Sequence, residues 1–373
     1  MSAQYTLSFV TNGGSAIASV TAAGGTTINL GSYKPTRSGY TFEGWYADAA
    51  LTISVKNVTL TSDMTVYAKW VEADDVGDID KDADYTLTFE SNGGTPVASI
   101  TAKWGTVIDL GKYRTIKIGY TFAGWYVDAE LTQPVSGVTL TSDMTVYAKW
   151  VATDIPDQFV KYPHIAYIIG YQDGTVMPEA NITRAEVAMI FYRIMTAEVR
   201  EEGYAATNSF SDVEEGAWYN EAVSTLANMG IIKGYEDGTF RPNRTITRAE
   251  FATIAARYIS EEYVGPNMFE DMEDHWAMEF VNRAAGYGWI LGYEDGTFRP
   301  ERNITRAEAM AMVNRVLKRL PETEDDLLEG MRTFSDNMDT AAWYYTVVQE
   351  AANSHDFEIK ENGVNEYWIE LLN

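Results

Sequence analysis

Ile182-Thr183-Arg184-Ala185-Glu186 recurs letter for letter as Ile246-Thr247-Arg248-Ala249-Glu250 and as Ile304-Thr305-Arg306-Ala307-Glu308. Each copy reads as a helix start. Thr is the N-cap, and the Glu three residues on reaches back to the cap's own N–H, a reciprocal capping box. Ile182 is placed to staple onto Val187 and Ile246 onto Phe251, whereas the third copy has only Ala309 there. The arginine is the odd residue, because a cation at the first helical position sits at the positive end of the helix dipole. Free backbone N–H groups beside a guanidinium make an anion site, and arginine grips a carboxylate through two parallel hydrogen bonds. The alternative is an ion pair with an acidic residue of a neighbouring unit.

Outward from these helix starts, two half-motifs alternate from about Phe159. One begins Gly-Tyr-x-Asp-Gly-Thr at Gly170, Gly234 and Gly292, with the capping Thr 13 residues later. Its Asp-Gly, at Gly174, Gly238 and Gly296, marks a tight turn, and Pro178, Pro242 and Pro300 end the extended piece before the helix. Apolar residues at helical spacing then run through Phe191 and Ile194, Ile254 and Tyr258, and Met312 and Val316. The other half-motif is Phe-x-Asp followed by Trp: Phe210, Asp212, Trp218; Phe269, Asp271, Trp276; Phe334, Asp336, Trp343. Each leads into an apolar-periodic segment, the first being Ala222–Met229. Units of this size cannot bury an apolar face alone. Because the order starts with one half-motif and ends with the other, a last helix over about 341–354 is expected to complete the first unit and close a ring.

The N-terminal part repeats differently. Residues 5–70 and 85–150 match without gaps at a period of 80, through Asn12-Gly13-Gly14 and Asn92-Gly93-Gly94, Gly39–Trp45 and Gly119–Trp125, and Leu60–Trp70 identical to Leu140–Trp150. Alternation such as Val66, Ala68, Trp70 against Thr65, Tyr67, Lys69 is a strand pattern, and Asn-Gly-Gly a hairpin-type turn. The aromatics Tyr40, Phe42, Trp45, Tyr46 and their partners Tyr120, Phe122, Trp125, Tyr126 read as core rather than as a sugar-stacking platform. The expected organisation is repeat one over 1–70, an acidic linker over 71–84, repeat two over 85–150, a short linker over 151–158, and three units over 159–373. Asp78, Asp80, Asp82 and Asp84 alternate in the linker. Ala83 and Phe89 stand where a calcium loop needs Gly and an acid, so it reads as a solvated spacer.

The whole chain has 373 residues, a formal charge of −26 and no cysteine. Disulfides and Cys-ligated metals are excluded. Residues 159–373 hold 18 basic and 37 acidic residues, a surface that repels nucleic acid and anionic lipid, so any anion must be bound in local pockets. No apolar run is long enough for membrane insertion. Met1–Tyr5 shows no signal-peptide pattern, so the chain reads as an intracellular protein or as a mature segment, and the second is the reading taken. His164, His275 and His355 fit no metal spacing and no catalytic triad, and the acids recur only in caps and turns; neither an enzyme, a metal nor a cofactor is expected.

The N-terminal copies resemble the Listeria–Bacteroides repeat, the B-repeat of internalin-like surface proteins, on their Asn-Gly-Gly, Gly-Tyr-Thr-Phe-x-Gly-Trp-Tyr and Met-Thr-Val-Tyr-Ala-Lys-Trp segments. That resemblance implies a β-grasp-like fold and a spacer or adhesive role, with a possible protein partner. Residues 159–357 resemble the S-layer homology domain, on Phe-x-Asp…Trp…Gly-Tyr-x-Asp-Gly-Thr and the triple Thr-Arg-Ala-Glu. Three copies is that family's usual number. This resemblance implies a mainly helical pseudo-threefold spindle on the cell surface. It would anchor to a secondary cell-wall polysaccharide whose pyruvate-ketal carboxylate is read by Arg184, Arg248 and Arg306. Further candidate contacts are Gly174, Gly238 and Gly296; Asp212, Asp271 and Asp336, as acceptors of sugar hydroxyls or as helix caps; and Trp218, Trp276 and Trp343, stacked on sugar or buried in the spindle. The first unit departs from the others in having Met177 where Arg241 and Arg299 stand, so its groove is expected to differ.

Overall fold

The computed structural model describes residues 3–72 and 82–372, which form two units, one strand-rich and one mainly helical. The part of the acidic linker holding Asp78 and Asp80 lies outside the described residues. No helix among the described residues is long and apolar enough to cross a membrane.

In the first unit, copy one contributes β1 (Gln4–Val10), β2 (Val20–Ala23), β3 (Thr27–Asn29), β4 (Tyr40–Tyr46), β5 (Ser54–Val55), β6 (Asn57–Thr59) and β7 (Met64–Glu72). The main sheet runs β5-β4-β7-β1-β2, with β1 parallel to β7 and the other pairs antiparallel, the mixed pairing of a β-grasp-like fold. Copy two repeats these elements. Asn12 and Gly13 take positive φ (46° and 88°), and Gly14 N–H closes the turn on the Thr11 carbonyl at 3.0 Å. The turn sits inside the longer 11–19 connection rather than joining paired strands directly, as Leu7 pairs with Val20. Gly14 is required by packing: a Cβ there would lie 2.2 Å from the Trp70 ring. Trp45, Tyr46, Trp125 and Tyr126 are buried, in keeping with the core reading.

The two copies pack together in one unit. Val107–Asp109 and Gly137–Thr139 of copy two extend copy one's sheet at β5, through Val138 opposite Val55, and one apolar core runs from Leu7 to Ala148. The edge of so short a strand is satisfied by the neighbour's backbone.

The second unit has seven helices among the described residues: α1 (Arg184–Ile194), α2 (Ala197–Gly203), α3 (Asn220–Asn228), α4 (Arg248–Ala256), α5 (Met278–Gly286), α6 (Arg306–Val316) and α7 (Tyr345–Ala352). Where α1, α4 and α6 begin, the Ile182, Ile246 and Ile304 N–H groups donate cyclically to the Ile304, Ile182 and Ile246 carbonyls, each at 3.1 Å, and all three isoleucines are buried. That triangle is the pseudo-threefold centre. α3, α5 and α7 pack on α1, α4 and α6 respectively. The third Phe-Asp-Trp segment meets the first Gly-Tyr segment: Tyr167 and Ile168 N–H donate to the Ala351 carbonyl, each at 3.0 Å. α7 is shorter than the expected 341–354, because Asp339 holds a turn through the Ala341 and Ala342 N–H groups before the helix begins. A hairpin of His355–Ile359 and Glu366–Leu371 ends the chain.

Candidate functional site

All three capping boxes form. Thr183, Thr247 and Thr305 accept the N–H of Glu186, Glu250 and Glu308, whose carboxylates reach back. The rest of each helix start differs from the sequence expectation. Its first two N–H groups are not free, since those of Arg184 and Ala185 donate to the Arg244 and Pro242 carbonyls, both at 3.0 Å. Arg248 and Ala249 do the same to Arg302 and Pro300, and Arg306 and Ala307 to Ala180 and Pro178. The first two N–H groups of each helix start therefore join units to each other, which leaves the guanidinium as the candidate for an anion.

The guanidinium at each helix start is itself anchored to the next unit. Arg184 Nε donates to the Phe240 carbonyl (2.8 Å) and its NH2 to Lys233 (3.0 Å); Arg248 makes the same pair with Phe298 (2.9 Å) and Leu291 (3.1 Å). These carbonyls offset the unfavourable position at the dipole. What remains is NH1, 3.8 Å from Glu250 in one case and 3.9 Å from Glu308 in the other. Those glutamates are already held by Arg244 at 2.7 Å and Arg302 at 2.8 Å. Burial lowers the pKa of Arg184 and Arg248 from the ordinary arginine range, opposed by the neighbouring tyrosine and glutamate.

Each of these arginines lies in a groove. One, of about 360 Å³, is lined by Arg184, Lys233, Tyr235, Glu250, Arg257 and Trp276. The other, of about 230 Å³, is lined by Arg248, Tyr293, Glu308, Met312, Arg315 and Trp343. Trp218, Trp276 and Trp343 are 62%, 59% and 60% exposed, which corrects the expectation that they are buried in the spindle. They stand on the turns ahead of α3, α5 and α7, outside the apolar faces that begin a few residues later. Asp212, Asp271 and Asp336 do not cap helices. Each carboxylate takes two backbone N–H groups of the next loop, those of Phe240 and Arg241, Phe298 and Arg299, and Val176 and Met177, at 2.7–2.9 Å. These bonds hold Arg241, Arg299 and Met177 at positive φ (58°, 56° and 51°). Gly174, Gly238 and Gly296 also have positive φ, and their carbonyls accept the N–H of Ser335, Ser211 and Glu270.

The third arginine departs from this pattern. Arg306 Nε keeps its carbonyl, Val176 at 2.8 Å, but its NH1 is bonded to Glu186 at 2.5 Å. Where units two and three have Arg244 and Arg302, unit one has Ala180. Glu186, with no arginine of its own, takes Arg306.

Sequence comparison agrees with this repeat. The S-layer homology domain model matches residues 167–188, 209–252 and 269–310, and the Listeria-Bacteroides repeat domain model matches 5–69 and 85–149. The chain carries three S-layer homology segments behind two Listeria–Bacteroides repeats. Similar proteins include Cell surface glycoprotein 1 of Acetivibrio thermocellus, 34% identical over 223 residues, and the Cellulosome-anchoring protein of the same organism, 34% identical over 227. The matches cover 56% and 59% of this chain, which spans 9% and 49% of those relatives. An Amylopullulanase of Thermoanaerobacterium thermosulfurigenes is 32% identical over 223 residues, covering 54% of this chain and 11% of that protein.

The S-layer homology grooves hold residues that sequence reasoning passed over. A second arginine follows each first one by nine residues: Arg193, Arg257 and Arg315. Two of these line the grooves, and Arg315 is brought down to about 10 by burial and then by Arg248 beside it. The constant offset was the available signal. In the Arg248 groove the buried Tyr293 hydroxyl has no protein partner, whereas Tyr235 bonds Glu250 and Arg244. The histidines also need correcting. His275 contacts Glu301, but His164 and His355, 191 positions apart, face each other in a buried cluster with two glutamates.

Proposed function

We propose that this protein sits at the bacterial cell surface. Its S-layer homology unit anchors it to the wall by binding an acidic secondary cell-wall polysaccharide, with the carboxylate of a pyruvate ketal at Arg184 and Arg248. The observation that carries this reading is the state of the two guanidinium groups. Each is fixed by carbonyls through Nε and NH2 and has NH1 turned into a groove, beside an exposed tryptophan able to lie against a sugar ring. The names of the anchoring and cell-surface relatives support the location and the anchoring role. The glycines, aspartates and Arg306 act in this reading as supports of the grooves more than as contacts.

The function is binding without catalysis. Among the described residues, the acids of the Thr-Arg-Ala-Glu and Phe-x-Asp motifs are engaged in capping boxes and loop clamps rather than set as a pair able to act as acid and base. The Listeria–Bacteroides repeats serve as a spacer. Among the described residues of that unit the exposed large hydrophobic side chains are Val10, Val107 and Val151, and no aromatic platform for a protein partner accompanies them.

Sedimentation with purified wall, from cells able or unable to add the ketal, tests the reading. The protein is expected to pellet with the first and not with the second. Equal pelleting with both would overturn the ligand, and release of reducing ends from wall fragments would overturn the absence of catalysis.

A further inference from the structure

Away from the grooves, His164, Glu350 of α7, and His355 and Glu366 of the terminal hairpin meet in a cluster from which solvent is excluded, each residue being at most 1% exposed. Backbone bonds between His164 and His355, at 3.1 and 2.9 Å, bring the imidazoles together. His164 Nδ1 lies 3.2 Å from His355 Nε2, 3.3 Å from Glu350 Oε1 and 3.4 Å from Glu366 Oε1. His355 Nε2 lies 3.2 Å from Glu350 Oε2 and 4.0 Å from Glu366 Oε1. A tetrahedral ion with nitrogen and oxygen ligands at about 2.0–2.1 Å has edges of about 3.3 Å between its donor atoms.

Surrounding contacts aim the donors inward. The Asn353 carbonyl is 3.0 Å from His355 Nδ1 and accepts its proton, which leaves the Nε2 lone pair facing the cluster; Trp368 Nε1 donates to Glu350 Oε2 at 2.9 Å. Other polar atoms are left over. Both oxygens of Glu366 and Oε1 of Glu350 are buried without a hydrogen-bond partner. The buried Arg319 is the near cation for the two carboxylates, but its NH1 and NH2 donate to the Ile165 and Val160 carbonyls. Two carboxylates and one guanidinium leave one negative charge in a dry site, a costly arrangement unless a cation or a proton joins them.

We propose that His164, Glu350, His355 and Glu366 bind one divalent transition-metal ion, zinc by its two-nitrogen, two-oxygen tetrahedral donor set. The ion would clip the terminal hairpin and α7 to the segment that opens the helical unit. With all four positions filled by protein side chains, the site is structural.

The full chain, stripped with dipicolinate and checked by elemental analysis, is titrated with Zn²⁺ and with Co²⁺ in millimolar Mg²⁺, which occupies the many surface acids. The expected result is one tight equivalent, a Tm rise of about 5 °C or more, and the intense visible absorption of tetrahedral Co²⁺. Hydrogen exchange over 355–371 should slow. Glu366→Gln, which keeps the shape, and His355→Gln should each lose the equivalent and the Tm rise. Absence of a stoichiometric equivalent, a weak six-coordinate cobalt spectrum, or zinc binding unchanged in both variants would each overturn the site. Should a variant fail to fold, the spectrum and stoichiometry of the unaltered chain decide. Wall binding enters none of these readouts.

Discussion

The helix starts at Arg184 and Arg248 and the helix start at Arg306 share a capping box, a carbonyl-anchored guanidinium and an aspartate clamp, yet they differ in where the last donor of the arginine goes. In the first two, Arg244 and Arg302 neutralise the capping glutamate and leave NH1 to the groove. In the third, Ala180 cannot, and Glu186 closes on Arg306. One residue thus serves two ends through different atoms. Nε joins unit to unit in all three copies, while NH1 is available to a ligand in two. A change six residues before the capping glutamate, alanine for arginine at position 180, thus engages an arginine inside the protein while the fold is kept.

The comparison breaks most sharply at the arginines. Arg184→Ala with Arg248→Ala should weaken binding to a pyruvylated wall polysaccharide at least ~100-fold, while Arg306→Ala changes it less than about 3-fold, read by calorimetry. Arg184→Ala and Arg248→Ala also leave two carbonyls each without a donor, and Arg306→Ala leaves one carbonyl and the Glu186 carboxylate, so each should cost ~1–3 kcal/mol in denaturant unfolding. Equal loss of affinity from Arg306→Ala would remove the distinction drawn here.

The converse substitution sharpens it. Met177→Arg with Ala180→Arg supplies unit one with the two arginines its sisters have, so Glu186 should release Arg306. The number of disaccharides bound per chain is expected to rise from two to three, the new site binding about 10-fold tighter than in the parent chain. A stoichiometry that stays at two would mean that the third groove is closed for another reason.

A smaller contrast concerns the tryptophans. Trp276→Ala should lower affinity about 5-fold and Trp218→Ala not measurably, with Tm unchanged in both, because exposed rings contribute little to the fold and a stacked ring contributes about 1 kcal/mol to binding. A Tm loss of several degrees would place these rings in the core after all.

What the sequence made legible was local. A capping box closes within four residues, and alternation and helical spacing are read from neighbours, so the strand-rich copies and the helix starts followed directly. The partners of Arg184, Arg248 and Arg306 lie 56, 50 and 130 positions away and are backbone carbonyls, which carry no side-chain signature. The clamps at Asp212, Asp271 and Asp336 were hidden for the same reason, and so was the Val55–Val138 pairing that joins the two N-terminal copies. Trp218, Trp276 and Trp343 misled because a large aromatic is assigned to a core by default, whereas these precede their helices instead of lying on the apolar face. His164 and His355 looked unrelated because their spacing matches no local motif; the return of the chain end to the start of the unit is what joins them.

The finest difference among the units lies in the turn aspartates. Asp237 and Asp295 are held at about 2, first by the Thr239 and Thr297 hydroxyls and then by Arg241 and Arg299, whose NH2 groups lie 2.8 Å away. Asp173 is also lowered from the usual carboxylate range, but through Thr175 and its own backbone N–H without an arginine, since Met177 has no charge to offer. A carboxyl depressed in the folded state contributes its stability above the unfolded pKa of about 4 and loses it as pH falls through the folded value. The pairs at Asp237 and Asp295 should therefore persist to lower pH than the turn at Asp173. Carbon-detected NMR titration from pH 5 to 1.5 reads this directly, and Met177→Arg alone should carry Asp173 down to the value of its sisters. Solvent surrounds all three carboxylates, so the shift should leave the Tm at neutral pH almost unchanged. If Asp173 already titrates with Asp237 and Asp295 in the parent chain, the threonine is sufficient, and the missing arginine of unit one matters only to the groove.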